Sequence, residues 1–421
     1  MGSLRFLTAG ESHGKALVGI LEGLPAGLPL SAHDLHQELK RRKLGYGRGA
    51  RQKIETDEVQ ILSGVRHGLT LGSPICLLMW NLDWESWKSI MQVEPEGSQD
   101  SKNDAEPLDP LAPSHDLKKK RIVYVPRPGH ADWVGGVKYA HSDLRNVLER
   151  SSARETAMRV ALGAVARHFL KALGIELGSR VVRLGSAFDS TESGISVSDL
   201  NQKADASPVR CLNPQAEKEM MALIDQAQLQ GDTVGGEFEV QASGLPMGLG
   251  SYVQWDRRLE AEIGRAFLSL NAIKGVEVGL GFEAARRMGS EVHDEFFQGG
   301  AESSRGHPHS GAPRAPVLCS KTNRSGGIDG GMSTGQVLMV RAAMKPLSTL
   351  MKPLASVDLT TGEPEKAHVE RSDVCAVPAA SVIGESLLAL VLSQSILEKF
   401  GGDSLSEVKS RVEQWKHRHP S

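Results

Sequence analysis

The sequence predicts a globular protein whose fold mixes α-helices with β-strands, and three observations point there. Helical signals occur at 31–43, 152–173 and 256–270, and strand-like runs at Ala16–Leu21, Ile75–Met79, Gly236–Gln241 and Gln336–Ala342. Of 421 residues 40% are hydrophobic and 24% charged, the composition of a chain that buries a core. Gly23-Leu-Pro-Ala-Gly-Leu28 recurs as Gly244-Leu-Pro-Met-Gly-Leu249, each time after a strand-like run and before a helix signal. That echo is a weak sign of two structurally related halves.

The elements follow from local chemistry. Ser31 caps the first helix, Leu35 and Leu39 share its face, and Lys40, Arg41, Arg42 and Lys43 suit its C-terminal end. Ser152-Ala-Arg-Glu155 has capping-box spacing and opens a helix through about Leu173, with Val160, Ala164 and Val165 near one face. A third helix is expected over Asp256–Leu270. The most apolar window, Val374–Leu397, is long enough to span a bilayer. Pro378, Gly384, Glu385 and Gln394 interrupt it, so it reads as a buried core helix. Two polar stretches without periodicity, 97–120 and 299–320, read as loop insertions.

Composition excludes several classes of function. Lys and Arg number 49 against 51 Asp and Glu, a balance that argues against a dedicated nucleic-acid or membrane-surface protein. The cysteines at 76, 211, 319 and 375 form no CxxC pair, so neither a zinc ribbon nor a disulfide framework is indicated. His307 and His309 have no carboxylate or cysteine at ligand spacing, so no metal is expected. The opening MGSLRFLTAG lacks a secretory pattern and has Phe6 where a myristoylation motif needs a hydroxyl. A cytoplasmic, reduced location is the expectation. Glycine is abundant, 45 residues, which favours tight turns and backbone close to a ligand.

Three motifs imitate known sites and lack their context. Gly10-Glu-Ser-His-Gly14 fits GxSxG, but only nine residues precede it, too few for a nucleophile elbow inside a built sheet. The same stretch falls one residue short of a P-loop, with Ala16 where a hydroxyl should hold magnesium. Gly45-Tyr-Gly-Arg-Gly-Ala50 fits GxGxxA but follows a basic helix rather than a strand.

What remains is a set of segments rich in functional residue types. They are Ser12-His13; Arg42, Arg48, Arg51 and Lys53; Arg127-Pro-Gly-His130-Ala-Asp132; Ser151-Ser152 at an expected helix N-terminus; Asn323–Gly331; Lys345–Thr349; and Arg371-Ser-Asp373. Singly, each also has a structural reading, as a cap, a turn or a solvated helix end. Together they describe a pocket of Arg, Lys, Ser and glycine N–H donors with two histidines and an aspartate. Such a pocket suits a polyanionic small molecule and proton transfer.

At these residues the chain resembles the chorismate synthase family nearly end to end. Residues 10–25 (GESHGKALVGILEGLP), 149–166 (ERSSARETAMRVALGAVA) and 371–387 (RSDVCAVPAASVIGESL) look like its three signatures. Residues 41–52, 127–133, 323–331 and 343–349 add support, and the insertions at 97–120 and 299–320 depart from the compact pattern. The resemblance implies an α+β fold, a β-α-β sandwich with two internally related halves, hence one domain over 1–421, and a homotetramer. It implies a lyase that converts 5-enolpyruvylshikimate 3-phosphate to chorismate and phosphate by anti-1,4-elimination. Reduced FMN is its cofactor, and the reaction is the last step of the shikimate pathway to aromatic amino acids.

Carried over by motif, His13 matches the proton donor to the departing phosphate, His130 the group at the reduced flavin, and Asp373 the acid that works with flavin N5. Arg150, Ser151, Ser152, Asn271, Ala272, Gly330, Lys345, Pro346, Leu347, Ser348, Thr349 and Arg371 match flavin-holding positions. Arg42 and Arg48 match a basic entrance that contacts NADP or the anionic substrate. Without a convincing dinucleotide fingerprint, an external flavin reductant is expected. Two other readings stay open: an NADPH-dependent FMN oxidoreductase, and a nucleic-acid-binding protein using the 40–53 loop.

Overall fold

Two antiparallel sheets and the helices between them make up the fold of the computed structural model, which describes residues 4–49, 54–95, 121–191, 195–299, 318–370 and 372–419. The first sheet contains β1 (Arg5–Ala9), β2 (Ala16–Glu22), β3 (Val59–Ser63) and β4 (Ile75–Trp80), in the order β1-β2-β4-β3. The second contains β5 (Glu176–Leu184), β6 (Gly236–Ser243), β7 (Ile273–Val278) and β8 (Leu338–Met344), in the order β5-β6-β8-β7, with Ala187–Phe188 at the β5 edge. Each sheet therefore runs first, second, fourth, third along its half of the chain. The Gly23–Leu28 and Gly244–Leu249 turns each leave the second strand, so the sequence echo falls at equivalent places in the two halves.

Helices α1 (Ala32–Lys43), α4 (Thr156–Ala172), α5 (Leu259–Leu268) and α6 (Val377–Phe400) fill the space between the sheets, while α2 (Asp132–Tyr139) and α3 (Arg145–Ser151) pack on each other beside them. The strands alternate as a half-buried sheet must. Leu17, Leu21, Ile75, Leu77 and Met79 face the helices and are buried, whereas Leu7, Ile20 and Trp80 face outward. Gly19 of β2 lies against Met158 and Leu162 of α4, and Gly384 of α6 against Phe238 and Val240 of β6. The order sheet, helices, sheet is the β-α-β sandwich expected, an α+β fold. Buried residues from both sheets and all the intervening helices join one apolar core.

The helix signals are confirmed with shifts that have local causes. Ser31 forms a full capping box with Asp34. Ser152 accepts from Arg154 N, but Glu155 turns to Thr8 Oγ1 at 2.8 Å and Arg159 Nε at 2.9 Å instead of closing a box. A 3-10 turn, Ala153–Glu155, therefore precedes α4, and Ser151–Ser152 sit at a junction of two helices rather than at a free N-terminus. The third helix begins at Leu259, after a 3-10 turn over Trp255–Arg257. The apolar window 374–397 is α6, 19 of whose 24 residues are buried. The insertion at 97–120 lies outside the described residues, as does 300–317 of the second; Leu318–Ser320 at its end is not loop but a strand paired with Phe296–Gln298.

The close crossing of α4 and α6 depends on Gly163, where an added Cβ would lie 2.3 Å from Ser386 Cβ and 2.6 Å from Ser386 Cα. Both obstacles belong to a helix backbone and its first side-chain atom, which cannot rotate aside. Gly163→Ala should therefore destabilise the protein by about 1–3 kcal/mol through overpacking. A chemical-denaturation midpoint unchanged from wild type would contradict this crossing.

Candidate active site

A cavity of about 570 Å³ opens where α3, α6, the turn between β1 and β2 and the segment after β8 converge. That volume is ordinary for a small-molecule site, roughly 300–1,000 Å³. Arg42, Arg48, Arg127, Arg154, Lys274 and Lys345 line it, against the carboxylates of Glu55, Glu370 and Asp373. His13 and His130 line it too. The cationic excess that the sequence suggested is real, and it is concentrated in one place.

His13 stands on the β1–β2 turn. Gly10 has φ +107, and a Cβ there would meet Ala16 O at 2.3 Å, so the turn needs glycine. Asn81 fastens the turn by donating from Nδ2 to Gly14 O at 2.7 Å and Glu11 O at 3.2 Å. The His13 ring stacks on Trp87, with centroids 3.9 Å apart, and its Nδ1 lies 2.9 and 3.0 Å from the two Glu149 oxygens. Burial would raise the Glu149 pKa, but the His13 hydrogen bonds and the neighbouring Arg145 charge outweigh it and hold the carboxyl below its ordinary value.

His130 follows the Arg127-Pro-Gly turn, with Nδ1 2.5 Å from Asp132 Oδ1. Asp132 is fully buried and also accepts from Arg127 N at 3.2 Å, Nε at 2.8 Å and Nη2 at 3.1 Å. Burial opposes ionisation, yet the hydrogen bonds from His130 and Arg127 keep this carboxyl well below the usual carboxylate range. Arg127 Nη1 reaches Thr349 Oγ1 at 2.7 Å, which ties the histidine turn to the Lys345–Thr349 segment. Each histidine thus has a buried carboxylate behind it.

Most of the expected site residues converge. Ser151, Ser152, Asn271, Ala272, Lys345, Leu347, Ser348 and Thr349 line the cavity. Asn271 Nδ2 donates to Ser151 O at 2.9 Å, and Lys345 N donates to Ala272 O at 2.9 Å, so these segments form a continuous wall. Ala272 has φ +66, a conformation uncommon for a residue with a Cβ. Asp373 lines the cavity, paired with Arg48 Nη1 at 2.8 Å and accepting from Gly49 N at 2.6 Å.

Arg48 and Arg42, expected at a basic entrance, both line the cavity, and Arg42 belongs to its buried wall. It is 4% exposed and donates to Thr156 Oγ1, Ala153 O and Asp57, forming part of the cavity wall. Arg48 pairs with Asp373 in the same lining. Other expectations need correction. Arg150 points away to Thr8 O and Gly10 O, at 2.9 and 3.0 Å, because its helical neighbour Glu149 takes the inward direction and successive residues turn about 100°. Pro346 does not line the cavity, nor does Gly330, which lies in the turn joining Ile328–Asp329 to Met332–Ser333. Arg51, Lys53 and Arg371 lie outside the described residues.

Glu149, Arg154 and Trp87 were not among the expected functional residues, and Arg127 and Asp132 were named in a candidate segment without a role. Arg127, Asp132, Glu149 and Arg154 all stand inside the quoted motifs, and that was the available signal. Their roles depend on partners far away in the chain. Arg154, for example, pairs with Asp57 and donates to Asn81 Oδ1 at 3.0 Å.

Comparison with known proteins agrees with this geometry. The family model for chorismate synthase matches residues 4–397. A chorismate synthase of Listeria welshimeri is 50% identical over 416 residues, 99% of each chain, and one of Pelobacter propionicus 51% identical over 406 residues, 96% of each. The fold is similar to a crystal structure of chorismate synthase, with a TM-score of 0.74, 39% identity and 100% of each chain covered.

Proposed function

The chain belongs to the chorismate synthase family of lyases, and from that premise we propose that it converts 5-enolpyruvylshikimate 3-phosphate to chorismate and phosphate with reduced FMN bound beside the substrate. The observation that carries the reading is one cavity that combines a cationic lining with two histidines, each held by a buried carboxylate. The substrate has two carboxylates and a phosphate, and planar guanidinium groups match both geometries. Arg48 Nε is buried with no hydrogen-bond partner among the described residues, the condition of a donor that awaits an anion.

The residues present fit a flavin. Ser151, Ser152, Asn271, Ser348 and Thr349 offer hydroxyl and amide groups, Lys345 offers charge, and Leu347, Met344 and Ile383 offer apolar surface for a fused ring. Reduced FMN, when bound, supplies electron density to the allylic system as the phosphate departs. The chain's own part is positioning and proton transfer. His13, which lines the same cavity as Arg48, holds a proton for the departing phosphate oxygen. His130, fixed by Asp132, and Asp373, fixed by Arg48 and Gly49, are assigned to the flavin side. Loss of phosphate and a ring proton gives the second double bond with no net oxidation.

An outside reductant is the source of the reduced flavin in this reading, since the glycines at 45–49 follow α1 and not a strand. A homotetramer is part of it as well. Leu7, Ile20 and Trp80 expose 67%, 40% and 44% of their surface on the outward face of the first sheet, apolar area that a second copy would cover.

Anaerobic assay with chemically reduced FMN should yield chorismate, and no product under those conditions would overturn the reading. Lys345→Ala should weaken FMN binding by ten- to a hundredfold, the equivalent of ~1.5–3 kcal/mol for a charge-assisted contact. Flavin fluorescence titration checks this, and unchanged affinity removes Lys345 from the flavin wall.

A further inference from the structure

The surroundings of His13 reach further than the cavity. Glu149 is 2% exposed, and among the described residues its carboxylate meets backbone N–H, guanidinium and imidazole nitrogens only. Oε2 accepts from His13 N at 2.7 Å, Oε1 accepts from Arg145 Nη1 at 3.1 Å, and both oxygens meet His13 Nδ1. An ionised carboxylate has no proton to give. The hydrogen at this contact therefore sits on Nδ1, and the nitrogen left for the cavity is Nε2.

Ring rotation is also restrained. Trp87 stacks on His13 at 3.9 Å with a 23° interplanar angle, and the Arg121 guanidinium lies 3.9 Å from the same indole centroid. Two flat groups at that distance cannot share one face, so the indole is held between them. Arg145 joins both supports, lying 5.0 Å from the Trp87 centroid while it holds Glu149.

We propose that Glu149 is a positioning residue that holds the Nδ1 hydrogen of His13, so that Nε2 faces the leaving phosphate; the imidazolium gives up its Nε2 proton to the bridging oxygen and is left as the neutral ring protonated on Nδ1. The proposal rests on the lyase reading above and adds to it the group that orients the acid. A purely structural Glu149 would serve α3 through the Arg145 pair alone and would be indifferent to the ring's tautomer.

The test uses the full-length protein with 15N-labelled histidine, the His13 signals being identified by their loss in His13→Ala. In wild type the neutral ring should carry its proton on Nδ1. In Glu149→Gln only one carboxamide oxygen faces three donors, and its NH2 group can meet Nδ1 only when that nitrogen is bare. The proton should then move to Nε2, and kcat should fall by ~10²-fold, within the range for a general acid, at unchanged KM and FMN affinity. Glu149→Asp, which keeps the charge, should recover part of the loss. A wild-type ring protonated on Nε2 overturns the proposal, and this holds even where Glu149→Gln does not fold. Wild-type kcat in Glu149→Gln overturns it too. Absence of turnover in wild type instead overturns the lyase reading, while the tautomer measurement still decides the role of Glu149.

Discussion

His13→Ala is expected to lower kcat by ~10²–10⁴-fold while leaving FMN affinity nearly intact. Phosphate departs more readily when a proton reaches its bridging oxygen as the C–O bond breaks, and the proposed reaction assigns that proton to His13 on the β1–β2 turn. The flavin contacts are assigned to Ser151, Ser152, Asn271, Lys345, Ser348 and Thr349, none of which is hydrogen-bonded to the His13 ring, so cofactor binding should not depend on it. The turn itself is fastened by Asn81 and by Ser12 N donating to Glu149 O at 3.0 Å, neither of which needs the imidazole. Steady-state turnover and flavin titration on the same preparation check both halves. Near-normal turnover by folded, flavin-binding protein would return His13 to a structural role.

Glu385→Ala should cost about 3 kcal/mol of stability, the low end of the penalty for breaking a buried ion pair, because Glu38 and Asp205 still meet the arginines it leaves. Glu385 stands on α6, 1% exposed, where α1, α4 and β5 meet. It accepts from Arg41 Nη1 and Nη2 at 3.0 and 2.9 Å, from Ser179 Oγ at 2.5 Å, from Asn201 Nδ2 at 3.1 Å and from Arg210 Nη2 at 3.4 Å, and it pairs with Arg167. Without the carboxylate, Arg41, Arg167 and Arg210 would have only Glu38 and Asp205 to balance three charges, in a site that water reaches poorly. Burial alone would raise the Glu385 pKa, but the arginines hold it far below the ordinary glutamate value. The sign follows: a depressed folded pKa gives stability that is complete above the unfolded value, ~4.3, and is lost only as pH falls toward the folded value. The gap in urea midpoint between wild type and Glu385→Ala should therefore persist from neutral pH to about pH 5 and narrow in stronger acid. Equal midpoints at pH 7 would show that Glu38 and Asp205 suffice for the three arginines.

Much of the site was legible because it is built from short segments whose chemistry is local. Ser12-His13 between glycines, Arg127–Asp132 and Lys345–Thr349 each place donors within a few residues, and all three reach the cavity. Directions within a helix were not legible from residue type. Arg150 and Glu149 are neighbours, and which of them faces inward is decided by the orientation of α3 against the β1–β2 turn. Arg42 and Arg48 show the same limit. A cation reads alike in sequence whether solvated or paired, and only Thr156, Asp57 and Asp373, brought up from elsewhere, made these two part of the wall.

The strands divide along similar lines. β2, β4, β6 and β8 were anticipated because they are apolar or alternating runs. β5 escaped notice although it is almost wholly buried, since Ser179 and Arg180 interrupt its pattern. Arg180 is tolerated there because Glu239 on β6 accepts from it at 3.3 Å, and Ser179 because it donates to Glu385. By itself, then, the sequence determined the composition of the core, the turns that need glycine, the apolar helix α6 and the motifs that place the chain in its family. The tertiary structure alone decided which buried polar residues meet. Partners such as His13 and Glu149, 136 residues apart, or Ser179 and Glu385, 206 apart, are joined only when both sheets close on the helices, and no local periodicity records a hydrogen bond across that distance.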